Sequence, residues 1–145
     1  MLEDFKMEWI QSNWTTVLIG LVLLLVVFKG VIVGKIFGIR NLSVAELSSM
    51  LADNPEKTVL IDVRSKSETE SGVIDHAMLI PLGDLSAQVN SLKAHQGKNM
   101  AVICASGTRS LMGAATLKKA GFNRVYNVSG GISAWRRHGF KLTKP

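Results

Sequence analysis

Residues 100–110 read MAVICASGTRS, and this stretch decides the fold. An apolar run, Met100 to Ile103, stops at Cys104. Small and polar residues follow through Ser110, and then the helix-like LMGAATLKKAG begins. A short apolar run bounded by turn residues reads as a buried strand, and the segment after it as a loop opening a helix. The alternation repeats outward. TVLIDVR predicts a strand from Val59 to Val63, and AMLIP and RVYNV are further short apolar runs. Between and after them lie the helical patterns GDLSAQVNSLKAH, SLMGAATLKKAG and GISAWRRHG, with Gly121 in the position that closes a helix. Upstream, NLSVAELSSMLADNP predicts a helix. Ser43 and Glu46 form a capping box, Leu42 and Leu47 have the spacing of a hydrophobic staple, and Pro55 ends the element. Strands alternating with helices imply an α/β fold, a mostly parallel sheet covered by helices on both faces. Active sites in such sheets lie beyond the carboxyl ends of the strands, where Asp62 to Arg64 and Cys104 to Arg109 both fall.

The chain has 145 residues, enough for one domain of about 100 residues and an appendage. One cysteine excludes an internal disulfide and fits a reducing compartment. His76, His95 and His138 have no metal-ligand spacing, so neither a metal nor a cofactor is expected. The formal charge is +6, unevenly placed: no Asp or Glu follows Asp84, while ten basic residues do. That stretch reads either as a solvated face or as a field that draws anions or anionic lipid. No basic groove with interleaved aromatics accompanies it, so nucleic acid is not an expected partner.

The N-terminal third has a different character. From Trp14 to Val33 only Lys29 is charged. Twenty such residues would span about 30 Å as a helix, the thickness of a hydrocarbon core. Trp9 and Trp14 suit an interfacial belt, and Lys29 can snorkel at the other end. The acidic residues Glu3, Asp4 and Glu8 argue against a cleaved signal peptide. The expected division is an extracytoplasmic tail (1–13), a transmembrane helix (14–34), a basic linker (35–40) and a catalytic domain (41–145). Lys29, Lys35 and Arg40 place that domain in the cytoplasm by the positive-inside rule.

A lone cysteine after an apolar run is most often an inert core residue. Its setting here argues otherwise. A loop that opens a helix points several N–H groups inward, and with the helix dipole they form an anion site. A thiolate is itself an anion, so the Cys104 pKa should fall. Arg109, in the first turn of the helix, opposes the dipole and needs a negative partner. A substrate anion and the Asp62 carboxylate are the candidates.

LIDVRSKSE, IPLGDL, CASGTRS and VYNVSGGISAWRRHGF, taken in that order, resemble the single-domain rhodaneses, from about Asn41 to the chain end. A short rhodanese domain behind one apolar helix is also similar to anchored members of the bacterial inner membrane. The resemblance implies a sulfurtransferase in which Cys104 attacks the outer sulfur of an anionic donor such as thiosulfate. A persulfide forms and is then given to a small-molecule or protein thiol. It further implies a backbone cradle made by Ala105, Ser106, Gly107, Thr108, Arg109 and Ser110, supported by Asp62 and Arg64. The chain departs from the family at SGVIDHAMLIP: Val73 stands where His is frequent, and His76 where Gly is frequent. His76 is therefore read as a loop residue and not as a base.

Two other functions compete. Phosphatases and arsenate reductases with tyrosine-phosphatase-like loops have five residues between Cys and Arg. Here four separate Cys104 from Arg109, a loop too short to encircle phosphate. Alternatively, the domain is a membrane-tethered interaction module that binds a membrane protein or complex. The intact CASGTRS loop argues against a dead site.

Overall fold

The computed structural model describes residues 12–145, with the side chains at 29–31 and 33 outside that description. The chain divides into two compact units, to Ile32 and from Val33. Helix α1, Trp14–Ile36, is 23 residues long. Its large apolar side chains from Leu18 to Phe28 are more than half exposed. Among the described residues, no helix is long and apolar enough to cross a membrane. The expected N-terminal tail, to residue 11 and including Trp9, and the Lys29 side chain lie outside the described residues.

The second unit is a five-stranded sheet in the order β1-β5-β4-β2-β3. The strands are β1 Arg40–Leu42, β2 Thr58–Asp62, β3 Met78–Leu79, β4 Asn99–Ile103 and β5 Val125–Val128. Every pairing in it is parallel. The helices are α2 Val44–Asp53, α3 Lys66–Thr69, α4 Leu82–Leu92, α5 Thr108–Lys119 and α6 Gly131–Arg137. The alternation of strand side chains divides the core. Val59, Ile61, Val63, Met100, Val102 and Cys104 pack with Leu85, Leu92 and Leu117 from α4 and α5. Leu60, Ala101, Ile103 and Val128 pack with Leu47 and Trp135 from α2 and α6. Both faces are thus apolar, which is why the strands read as continuous apolar runs.

The α2 capping box forms as its spacing requires: the Ser43 hydroxyl accepts from Glu46 N–H, and the Glu46 carboxylate accepts from Ser43 N–H at 2.8 Å. Leu42 and Leu47 are both buried in one cluster. Two elements lie beyond the sequence reading. The three-residue β1 is too short to show a period, and Ile39 just before it is buried in the core. The expected linker over 35–40 is therefore packed at its far end. Helix α3 is a single turn started by a second capping box, Ser65 with Glu68.

Candidate active site

The loop joining β4 to α5 bends back on its own cysteine. Cys104 is fully buried, yet its Sγ accepts the Gly107 N–H at 3.1 Å and lies 3.4 Å from Ser110 Oγ. Gly107 makes this turn at φ +101°, a left-handed conformation that costs glycine little. The outer side of the loop is tied to α6. Cys104 C=O accepts from Ile132 N–H at 2.8 Å, and Ala105 C=O accepts from Ser133 N–H at 3.0 Å. A Cβ at Gly131 would run into the Cys104 carbonyl oxygen and approach the Ala105 carbonyl carbon to 2.7 Å. The SGG turn that opens α6 thus allows a backbone-to-backbone fit.

Two opposed effects act on the thiol. Burial pushes its pKa up. The Ser110 hydroxyl, when turned to the sulfur, and the N–H groups of Ser110, Ser106 and Gly107 pull it down and prevail, so Cys104 sits below the ordinary thiol range. An inert core cysteine would show only the first effect.

The acidic and basic residues pair differently from the sequence expectation. Asp62 was a candidate partner for Arg109, but its carboxylate takes Arg64 instead. Arg64 Nε donates to both Asp62 oxygens at 3.0 Å, and Nη2 donates to Oδ2 at 2.6 Å. Both residues are buried. Arg64 also donates to the carbonyls of Glu68 at 3.2 Å and Gly72 at 2.9 Å. The Asp62–Arg64 pair therefore fixes the end of β2 to the α3 turn. Glu68, on α3, is the actual partner of Arg109. Its carboxylate accepts from Arg109 Nη2 at 2.6 Å and Nη1 at 2.8 Å. The Arg109 guanidinium, with help from Ser65, lowers the Glu68 pKa to about 2.

Beside the loop lies a cleft of about 180 Å³ lined by Arg64, Glu68, Ser71, Ala105, Ser133 and Arg136, among others. Arg136 reaches across to Ser71, donating to its carbonyl at 2.9 Å and to its hydroxyl at 3.0 Å. The structure gathers Cys104, the loop through Ser110, Asp62 and Arg64 at one end of the sheet. His76 lies apart, exposed, at φ +59°. Glu68, Asn127 and Gly131 were not singled out from sequence. Only Glu68 had a readable signal, its capping-box spacing from Ser65. Asn127 Oδ1 accepts from the Ser110 hydroxyl at 2.6 Å.

Residues 43–138 match the rhodanese-like domain family. The chain is 32% identical over 107 residues to a sulfurtransferase of Allochromatium vinosum, covering 74% of this chain and 97% of that one. It is 34% identical over 100 residues to the tRNA uridine(34) hydroxylase of Escherichia coli, covering 66% of this chain but only 28% of that longer protein. Among solved structures, a rhodanese-like domain protein from Staphylococcus aureus superposes with a TM-score of 0.64 at 29% identity, covering 74% of this chain and 99% of that one.

Proposed function

This chain belongs to the rhodanese family, and from that premise we propose that it carries sulfane sulfur as a persulfide on Cys104. The donor is an anion such as thiosulfate, and the acceptor is a small-molecule or protein thiol. The sulfur's own surroundings carry the reading: an N–H at 3.1 Å and a pKa drawn below the ordinary thiol range although the residue is buried. The Cys104 thiolate attacks the outer sulfur of thiosulfate. The donor's S–S bond breaks, and sulfite leaves with the bonding pair. The terminal sulfur of the new persulfide bears the negative charge that the loop N–H groups favour. An acceptor thiolate then attacks that sulfur, and Cys104 leaves as thiolate. Neither step needs a general base. Incubating the full chain with thiosulfate should add one sulfur atom to Cys104, read by mass. Cys104→Ser should fold normally and transfer nothing; transfer at the original rate in that variant would overturn the assignment.

The reading extends to the N-terminal helix, which acts as an uncleaved single-pass anchor in a bacterial inner membrane with the domain in the cytoplasm. Its support is a 23-residue helix whose sequence carries one charge between Trp14 and Val33. In a Cys104→Ser background, the exposed Lys144→Cys should react with an impermeant maleimide only after lysis. Labelling of intact spheroplasts would reverse the orientation.

A further inference from the structure

A buried hydrogen-bond chain leads away from the sulfur. Cys104 Sγ lies 3.4 Å from Ser110 Oγ, and the Ser110 hydroxyl donates to Asn127 Oδ1 at 2.6 Å. Asn127 Nδ2 in turn donates to Asn41 Oδ1 at 3.1 Å. Ser110 and Asn127 are buried, whereas Asn41 is exposed. The sheet register builds this line. Asn41 on β1 stands opposite Asn127 on β5, and Asn127 stands opposite Val102 on β4, two residues before Cys104. An apolar residue at position 127 would fill the same core without the desolvation cost of a buried amide. The amide is held there by its bonds, and those bonds have a direction.

Counting protons fixes that direction. A serine hydroxyl has one proton to donate. Here Ser110 donates it to Asn127 at 2.6 Å, so towards the sulfur Ser110 can only accept. The arrangement therefore suits an S–H thiol that donates to Ser110. A thiolate has no proton and would face the oxygen lone pairs. When Cys104 loses its proton to solvent, Ser110 must turn its hydroxyl onto the sulfur. Asn127 Oδ1 then loses its donor, unless the amide rotates to present Nδ2 to Ser110 and Oδ1 to Asn41. Asn41, at the exposed end, can rotate its own amide to donate.

We propose that Asn41 and Asn127 are positioning residues that set which way the Ser110 hydroxyl points, and through it whether Cys104 is held as thiol or released as thiolate. The chain has two self-consistent hydrogen-bond directions, one for each protonation state. Asn41, which does not touch the sulfur, biases the choice. This rests on Cys104 being the reactive thiol, but the test below reads ionisation alone and needs no sulfur donor. The charged groups around the loop are Asp62 and Arg64 at the end of β2, Glu68 on α3, Arg109 on α5 and Arg136 on α6. All are unchanged in the variants used.

The probe is the ultraviolet absorbance of the Cys104 thiolate against pH in the full chain. With a single cysteine in the chain, Cys104→Ser supplies the blank. Asn41→Ala removes the acceptor that holds Asn127 in the thiol direction. The thiolate-to-thiol ratio at a fixed pH should rise about two- to tenfold, what one net hydrogen bond is worth. Asn41→Asp can only accept, locks Asn127 in the thiol direction and should lower the ratio by a similar factor. Asn127→Leu leaves Ser110 free to donate to sulfur and should act like Asn41→Ala. Thermal unfolding checks that each variant folds; Asn41 is exposed, so its two variants preserve the readout if Asn127→Leu does not. Opposite shifts for Asn41→Ala and Asn41→Asp support the proposal. An unmoved titration in Asn41→Ala, or shifts of both variants in the same direction, overturns it.

Discussion

Glu68 and Arg109, 41 residues apart in sequence, meet through two hydrogen bonds at 2.6 and 2.8 Å beside the sulfur-bearing loop. The pair sets a carboxylate in front of the one cation that the cysteine loop itself contributes. An anionic donor that needs Arg109 must first displace Glu68.

Glu68→Gln should therefore raise kcat/KM for thiosulfate. Glutamine keeps the capping-box role at the start of α3, so the turn survives. Arg109 is 41% and Glu68 35% exposed, so solvent screens the pair. The expected gain is about two- to fivefold, in line with a partly exposed ion pair. An uncharged sulfane donor, assayed in parallel, should show no change. Equal gains for both donors would mean that Glu68 acts on the loop and not on donor charge.

The same pair has a pH signature. The Glu68 pKa is depressed from 4.5 to about 2 in the fold. The unfolded chain therefore binds the proton more readily, and stability rises with pH through this window. The pair's contribution is fully present above about pH 4.5 and is lost as pH falls towards 2. Thermal unfolding of the full chain and of Glu68→Gln should converge over that range. A constant difference from neutral pH down to pH 2 would contradict the pairing.

Gly131→Ala should disable the site by moving backbone. The new Cβ meets the Cys104 carbonyl oxygen and the Ala105 carbonyl group, none of which can swing aside as a side chain would. The position also has φ +54°. A loss of about 3 kcal/mol is expected from clash and backbone strain together. Persulfide formation should fail even in material that remains folded. Denaturant unfolding and the mass of Cys104 after thiosulfate treatment measure the two effects separately.

His76→Gly should stabilise the domain. His76 holds φ +59° with its side chain 92% exposed. A left-handed backbone costs an ordinary residue about 1–2 kcal/mol, and glycine's greater unfolded freedom takes back roughly half of that. A net gain of about 0.5 kcal/mol should appear as a small rise in Tm. A lower Tm would mean that His76 makes a contact worth more than its backbone strain.

The sequence by itself determined the alternating α/β order, the α2 capping box and the loop that bends around Cys104. These features are local. Period, caps and turn residues act within one strand or one turn, so neighbouring residues suffice to read them. Tertiary structure alone decided the partners. Arg109 chose Glu68 over Asp62 because Arg64, two residues beyond Asp62, occupies that carboxylate first and also fastens the α3 turn. Asn41 met Asn127, 86 residues away, because β1 lies beside β5 in parallel register. A three-residue strand has no period to announce it. Which strand lies next to which is a property of the assembled sheet, and it carries the line from Asn41 to the buried sulfur.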